Sequence, residues 1–177
     1  DRAAGTGKVV SQQVLAELLA AHRAAGQRVV FTNGCFDLLH VGHVTYLQEA
    51  ARLGDLLVIG VNSDASVRRL KGPTRPVIGE QDRAAILAAL GCVAYVATFD
   101  EDTPRKLIEA VRPDVLVKGG QYKIEEIVGY DFVTSYGGTV CTVAMVDGIS
   151  TSRIVNTLNE TATAPKLSGP HFPTAAA

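Results

Sequence analysis

The sequence has no excess of either charge. Its 177 residues carry 17 Lys+Arg against 18 Asp+Glu, a net charge of −1, so the basic surplus of a general nucleic-acid binder is missing. Long apolar runs are missing too. The longest falls far short of the roughly 20 residues that span a bilayer, and the first residues lack the form of a secretory signal. Cysteine is scarce. Cys35, Cys92 and Cys141 are odd in number and include no C-x-x-C pair, which reads as free thiols in a reducing compartment, the cytoplasm, rather than a disulfide framework. Methionine occurs once, at Met145, and the chain begins with Asp1, so a trimmed chain or a piece of a longer one is expected. What the sequence does have is 47% hydrophobic and 20% charged residues. That balance is ordinary for a globular protein, and at this length about 70% of the unfolded surface can be buried without a disulfide or metal staple. One domain is the expectation.

Strand and helix patterns alternate along the chain. Asp1 to Lys8 is small and polar, as linkers are. Gly5-Thr6-Gly7-Lys8 lacks the preceding strand, the spacing and the hydroxyl after Lys of a phosphate-binding P-loop, since Val9 follows. Ser11 suits an N-cap ahead of Val14, Leu15, Leu18 and Leu19 at helical spacing, and Gly26 ends that helix. The pattern then predicts strands over 28–32, 56–61, 93–97, 115–117 and 139–143. It predicts helices over 42–53 and 80–90, from Thr103-Pro104 to just before Pro113, over 124–136, and from Ser150 or Thr151 to Leu158. The unbroken apolar run from Leu56 to Val61 suits a strand buried on both faces. Such alternation predicts a Rossmann-like, three-layer α/β/α fold with a mainly parallel sheet. The expected division is a linker and first helix over 1–27, a single α/β domain over 28–158, and a disordered tail over 159–177 that holds Pro165, Pro170 and Pro173. Ligands of these folds bind beyond the carboxyl ends of the strands, where the strand order reverses.

The richest such position is Thr32-Asn33-Gly34-Cys35-Phe36-Asp37-Leu38-Leu39-His40-Val41-Gly42-His43, between the first strand and a helix start. Backbone N–H groups at a helix N-terminus favour anions. Gly34 lets the backbone approach a ligand and Gly42 clears space between the imidazoles. His40 and His43 converge on the head of the helix, where they can bond phosphate oxygens and stabilise charge that grows during phosphoryl transfer. Phosphate binding, a structural pair and a metal pair are favoured in that order. Zinc needs further ligands, and the remaining histidines, His22 and His171, lie on an amphipathic helix and in the tail.

The segment Gly34-Cys35-Phe36-Asp37 with His40-Val41-Gly42-His43 resembles the signature of the cytidylyltransferase-like nucleotidyltransferases, which is related to the HIGH motif of class I aminoacyl-tRNA synthetases. From about Val29 to Val155 the chain is similar to the heptose 1-phosphate adenylyltransferases, the ADP-heptose synthase family. The shared runs are Thr32 to His43, Val61-Asn62-Ser63-Asp64, Arg69-Leu70-Lys71-Gly72, Glu101-Asp102-Thr103-Pro104 and Leu116-Val117-Lys118-Gly119-Gly120.

The resemblance implies an enzyme in which the phosphate of D-glycero-β-D-manno-heptose 1-phosphate attacks the α-phosphorus of ATP and pyrophosphate leaves, with Mg²⁺ assisting. A phosphate nucleophile is already anionic near neutral pH, so catalysis reduces to alignment and charge stabilisation. By the same resemblance His40 and His43 contact the ATP phosphates, and the backbone around Asn33, Gly34, Cys35 and Phe36 lines the nucleotide site. Asp37 binds a substrate hydroxyl or organises the loop, with a plain turn residue as the bland alternative. Lys71, in a glycine-hinged loop with Arg68, Arg69 and Arg75 nearby, closes over the triphosphate; Arg75 is the weaker candidate. Lys118, Gly119 and Gly120 follow a strand and meet nucleotide or sugar phosphate, although Gln121 stands where the family commonly has an acidic residue. Ser150, Thr151 and Ser152, within Asp147 to Arg153, resemble the family's second signature and form another phosphate cradle or an N-cap. Asp64 touches sugar or ribose hydroxyls. No resident metal ligand is assigned.

The alternatives are a cytidylyltransferase for glycerol-phosphate or another polyol phosphate, and a non-catalytic nucleotide-binding module. Intact His40, His43 and Lys71 disfavour the module. The expected partners are ATP and a sugar 1-phosphate, with no nucleic acid and no membrane, and a homo-oligomer stays open. Many relatives carry this domain behind a sugar kinase, and Asp1 to Gln27 resembles the linker and first helix after that junction, which implies the carboxyl-terminal half of a bifunctional chain.

Overall fold

A computed structural model of the chain describes residues 7–144 and 151–163. Five strands, β1 (Val29–Gly34), β2 (Leu56–Asn62), β3 (Tyr95–Phe99), β4 (Val115–Gly119) and β5 (Thr139–Val143), form one sheet. Their order is β3-β2-β1-β4-β5 and every neighbouring pair is parallel. Parallel neighbours need long crossovers, and helices supply them. These are α1 (Gln12–Ala24), α2 (Val41–Ala51), α3 (Asp64–Lys71), α4 (Glu80–Ala88), α5 (Arg105–Val111), α6 (Tyr130–Ser135) and α7 (Thr151–Thr163).

The strands bury both faces. Successive side chains of a strand point to opposite sides, so Val29 and Phe31 join one apolar cluster and Val30 the other. Tyr46, Leu47 and Ala50 of α2 with Ala84, Leu87 and Ala88 of α4 cover one side. Leu15 and Leu19 of α1, Leu107, Ile108 and Val111 of α5, and Val133 of α6 cover the other. This is the three-layer Rossmann-like fold expected from the alternation. From β1 the chain steps outward through β2 and β3, then returns to the opposite side of β1 for β4 and β5. The carboxyl ends of β1 and β4 therefore diverge, and a crevice opens between them.

Local signals account for most boundaries. The Ser11 side chain accepts from the Val14 N–H at 3.2 Å and caps α1, and Gly26 at φ 75° closes it with its N–H on Arg23 O. Other boundaries differ from the sequence expectation. The helix expected over 124–136 is a 3₁₀ turn (Ile124–Glu126) followed by α6, because Ile127 is extended and Gly129 adopts φ 95°. A Cβ at Gly129 would lie 2.9 Å from Ile108 Cδ1, so tertiary packing against α5 sets that break. Pro104 is the N-cap of α5, its carbonyl accepting from Ile108 N–H at 2.9 Å, so the helix proper starts at Arg105. Strand β3 starts two residues later than expected, since the Val93 N–H is spent on Leu90 O in the turn after α4. Helix α7 runs past Leu158 through residues 159–163, into the stretch expected to begin the tail. Residues 164–177 lie outside the described residues. Among the described residues no helix is long and apolar enough to cross a membrane.

Candidate active site

The crevice between β1 and β4 is a cleft of about 580 Å³. Asn33, Gly34, Cys35, Phe36 and Asp37 form its floor as the chain leaves β1; His43 and Tyr46 enter from α2, and Lys118 and Gly119 from the end of β4. Lys71 and Arg75 bound it on one side, and Thr151 and Ser152 of α7 on another. The topology thus brings most of the sequence-derived site residues into one cavity.

The two histidines sit at the start of α2, His40 as its N-cap and His43 three residues on. Their rings stack with centroids 3.9 Å apart, and Phe36, held at φ 46°, lies against His43 at 5.4 Å. A Cβ on Gly34 would stand 3.0 Å from the Phe36 ring, so Gly34 makes room for that ring at the point where the backbone lines the cleft. The His40 N–H donates to His43 Nδ1 at 3.4 Å. With Nδ1 accepting, the His43 proton resides on Nε2 and that nitrogen is a donor. Burial, and then the neighbouring His40, hold the His43 imidazole down at about 4; burial alone lowers His40. Gly42 is buried in the first turn of α2 and does not line the cleft.

This has a consequence for stability. An unfolded chain protonates its histidines near the ordinary value of 6.5, whereas folded His43 stays neutral down to about 4. Between those values the unfolded state binds more protons, so stability is expected to fall on acidification, by up to about 1.4 kcal/mol per pH unit for one such group. Chemical denaturation at pH 7.5 and pH 4.5 should show this loss, and His43→Gln should reduce it. Equal slopes in the two proteins would contradict the neutral assignment. Asp37, whose carboxyl lies below its ordinary 3.8, contributes only at still lower pH.

Asp37, the last residue of the floor segment, is buried. Its Oδ1 accepts from the N–H groups of Val77 and Ile78 at 2.7 and 3.0 Å, and its Oδ2 from Arg75 Nε at 2.5 Å. Burial alone would raise its carboxyl, but the Ile78 N–H, the Arg75 side chain and the Val77 N–H outweigh that and hold it low. Lys71 is the last residue of α3, followed by Gly72 at φ 100°. It was expected in a loop; the helix instead carries it to the cleft's rim. Lys118 reaches toward Asn33 Oδ1 at 3.5 Å. Burial depresses its ammonium, Cys35 opposes this and Lys71 adds to it. Burial likewise pushes the Cys35 thiol up. Gly119 ends β4, and Gly120, its N–H on Val143 O, turns the chain away behind Tyr122. The Thr151 hydroxyl donates to Leu38 O at 3.1 Å and ties α7 to the histidine segment. Ser150 lies outside the described residues.

Asp64 is not in this cleft. It begins α3, lines a neighbouring cavity with Ser63, Glu80 and Asp100, and accepts from Arg83 Nη2 at 2.8 Å. Two side chains escaped the sequence reading. Arg83 is fully buried and donates as well to Cys35 O at 2.6 Å and Ile78 O at 2.9 Å, joining α4 to the cleft floor. Its signal was its place on the face of α4 that buries Ala84 and Leu87. Tyr46 lies under the cleft, its hydroxyl bonded to Thr32 Oγ1 and donating to Val117 O at 3.4 Å across β1 and β4; burial raises this phenol to about 12. Nothing in the sequence separates it from an ordinary core tyrosine.

A family model described as cytidylyltransferase-like matches residues 31–157. A protein of Geobacter sulfurreducens called bifunctional protein HldE is 63% identical over 151 residues, which is 85% of this chain and 31% of the relative. The protein of the same name in Alcanivorax borkumensis is 52% identical over 157 residues, 88% of this chain and 33% of the relative. The chain therefore spans about a third of the length of these relatives. Among solved structures, the lipopolysaccharide core biosynthesis protein from Thermoplasma volcanium GSS1 superposes with a TM-score of 0.57 at 33% identity, covering 68% of this chain and 98% of that one.

Proposed function

We propose, from the premise that this chain belongs to the cytidylyltransferase-like family, that its cleft transfers AMP from ATP to D-glycero-β-D-manno-heptose 1-phosphate, giving ADP-heptose and pyrophosphate. The observation that carries the reading is the cleft's one-sided chemistry. The His43 Nε2–H, Lys71, Arg75 and Lys118 face a cavity at the topological switch point. Of its two carboxylates, Asp37 is held on both oxygens by Arg75 and two backbone N–H groups, and the exposed Asp102 bonds Arg69 through Oδ1. A cavity rich in donors and poor in free acceptors suits polyanions.

In the proposed reaction an oxygen of the sugar phosphate forms a bond to the α-phosphorus of ATP as the bond to the pyrophosphate oxygen breaks. No protein base is required. His43 donates through Nε2 to the oxygens whose charge grows, as a neutral donor fixed by the His40 N–H. Lys71 and Lys118 supply point charges, and Thr151 and Ser152 stand at the N-terminal end of α7, where backbone N–H groups favour phosphate. Among the described residues no three His, Cys, Asp or Glu side chains converge as a metal cage. Mg²⁺ enters with the ATP phosphates as part of the substrate. Free Cys35, Cys92 and Cys141 support a reducing, cytoplasmic setting. The relatives' length and their description as bifunctional support a second domain in the longer protein, and the sequence resemblance makes that domain a sugar kinase.

Pyrophosphate release measured across a panel of nucleotides and sugar phosphates tests the reading. Release is expected to need both ATP and heptose 1-phosphate. A silent panel would end the enzyme assignment, and faster turnover of CTP with a polyol phosphate would replace the substrate pair.

A further inference from the structure

We propose that Arg75 is a substrate-binding residue of this cleft, its free guanidinium edge receiving phosphoryl oxygens while Asp37 holds it in place. The inference rests on the reading of the cleft as a phosphate-transfer site and deepens it by giving Arg75 a bidentate contact to a phosphate, positioned by Asp37. Three observations carry it.

The first is the fully committed carboxylate. The Asp37 side chain is 1% exposed, and both of its oxygens are engaged, one by two backbone N–H groups and one by Arg75 Nε. It presents no accessible edge to a ligand, and its interactions are those of a group that positions its neighbour.

The second is the unspent donor set. A guanidinium has five N–H donors, and Arg75 uses only Nε; among the described residues Nη1 and Nη2 meet no acceptor. The side chain is 13% exposed and lines the cleft. These four donors stand at the edge of an open cleft, whose other carboxylate, Asp102, already bonds Arg69 through Oδ1. A planar fork so placed and so free suits the paired oxygens of a phosphate.

The third is rigidity. The segment that carries Arg75 is fixed on both sides of it. The Arg75 N–H donates to Gly72 O at 3.2 Å, the N–H groups of Val77 and Ile78 end on Asp37, and Ile78 O accepts from buried Arg83. The fork is held before substrate arrives, which lowers the ordering cost of binding.

The test uses Arg75→Lys, which keeps the charge opposite Asp37 and removes the fork. Calorimetric titration with pyrophosphate is expected to show affinity weakened about tenfold or more, as loss of a bidentate arginine contact implies. Steady-state kinetics identify the phosphate concerned: the KM for ATP rises if the fork meets the nucleotide, and the KM for the sugar 1-phosphate rises if it meets the acceptor. A folded Arg75→Lys protein with unchanged pyrophosphate affinity and both KM values unchanged overturns the proposal, since a structural ion pair would alter only the melting temperature. A second measurement uses the wild-type chain. Phenylglyoxal labelling of Arg75, located by mass spectrometry, is expected to slow when pyrophosphate is added; equal labelling, or none, in both samples overturns the proposal. Wild-type protein that binds neither pyrophosphate nor ATP would overturn the functional reading itself, a result distinct from normal binding that Arg75→Lys leaves intact.

Discussion

Replacing His43 with alanine is expected to lower kcat by about 10²-fold or more, the usual cost of losing one aligned donor to developing charge. The geometry states why this histidine should matter more than its neighbour. His43 lines the cleft, whereas His40 caps α2 and stacks behind it, 3.9 Å away. The His40 N–H fixes the His43 tautomer, so Nε2 carries a proton at any working pH. Because burial and His40 hold His43 near 4, its donor form persists from pH 5 upward. The rate should therefore show no loss on raising pH through the ordinary histidine range, whereas an imidazolium acting by its charge would lose activity there. Pre-steady-state kinetics of His43→Ala and the wild-type pH profile check both points. A variant with full kcat and a lowered melting temperature would make His43 a packing residue beneath Phe36.

Asp64→Ala is expected to destabilise the domain by about 3 kcal/mol, near the lower end for removal of one partner from a buried ion pair. The Arg83 side chain is 0% exposed and Asp64 is its carboxylate, itself 30% exposed. Without it a buried guanidinium keeps only the carbonyls of Cys35 and Ile78. At this size the melting temperature should drop by roughly 6–12 °C. The KM values for ATP and sugar phosphate should stay within about twofold, because Asp64 faces the neighbouring cavity. A thermally normal variant with a raised KM would restore the sugar- or ribose-binding role that the sequence resemblance gives to Asp64. Differential scanning calorimetry beside steady-state kinetics separates the two.

Asp64 shows what a long-range ion pair adds to the sequence reading, which gave it to substrate hydroxyls: in the structure it pairs with Arg83 beside a neighbouring cavity. It directly follows a strand and a serine, as ligand-binding residues do in this fold, but its partner Arg83 lies 19 positions away on another helix. The same limit applies to Asp37. Its sequence readings were a ligand to substrate hydroxyls, an organiser of the loop, or a plain turn residue, and its contacts with Arg75, Val77 and Ile78 support the organiser.

The sequence by itself determined the alternation of strand and helix, the parallel sheet and the places where chemistry collects. Apolar periodicity and local caps such as Ser11 and Gly26 are properties of neighbouring residues, and a parallel sheet binds ligands at the ends of its strands whatever the side chains. The histidine segment, Lys118-Gly119 and Thr151-Ser152 were legible for that reason. Tertiary structure alone decided which groups remain free to meet a ligand. It broke the helix expected over 124–136 against Ile108, brought Lys71 to the rim at the end of α3, committed Asp37 and Asp64 to arginines, and left the outer edge of Arg75 open. Whether a charged side chain is spent on the fold or available to a substrate depends on partners tens of residues away, and that distance is closed only when the chain packs.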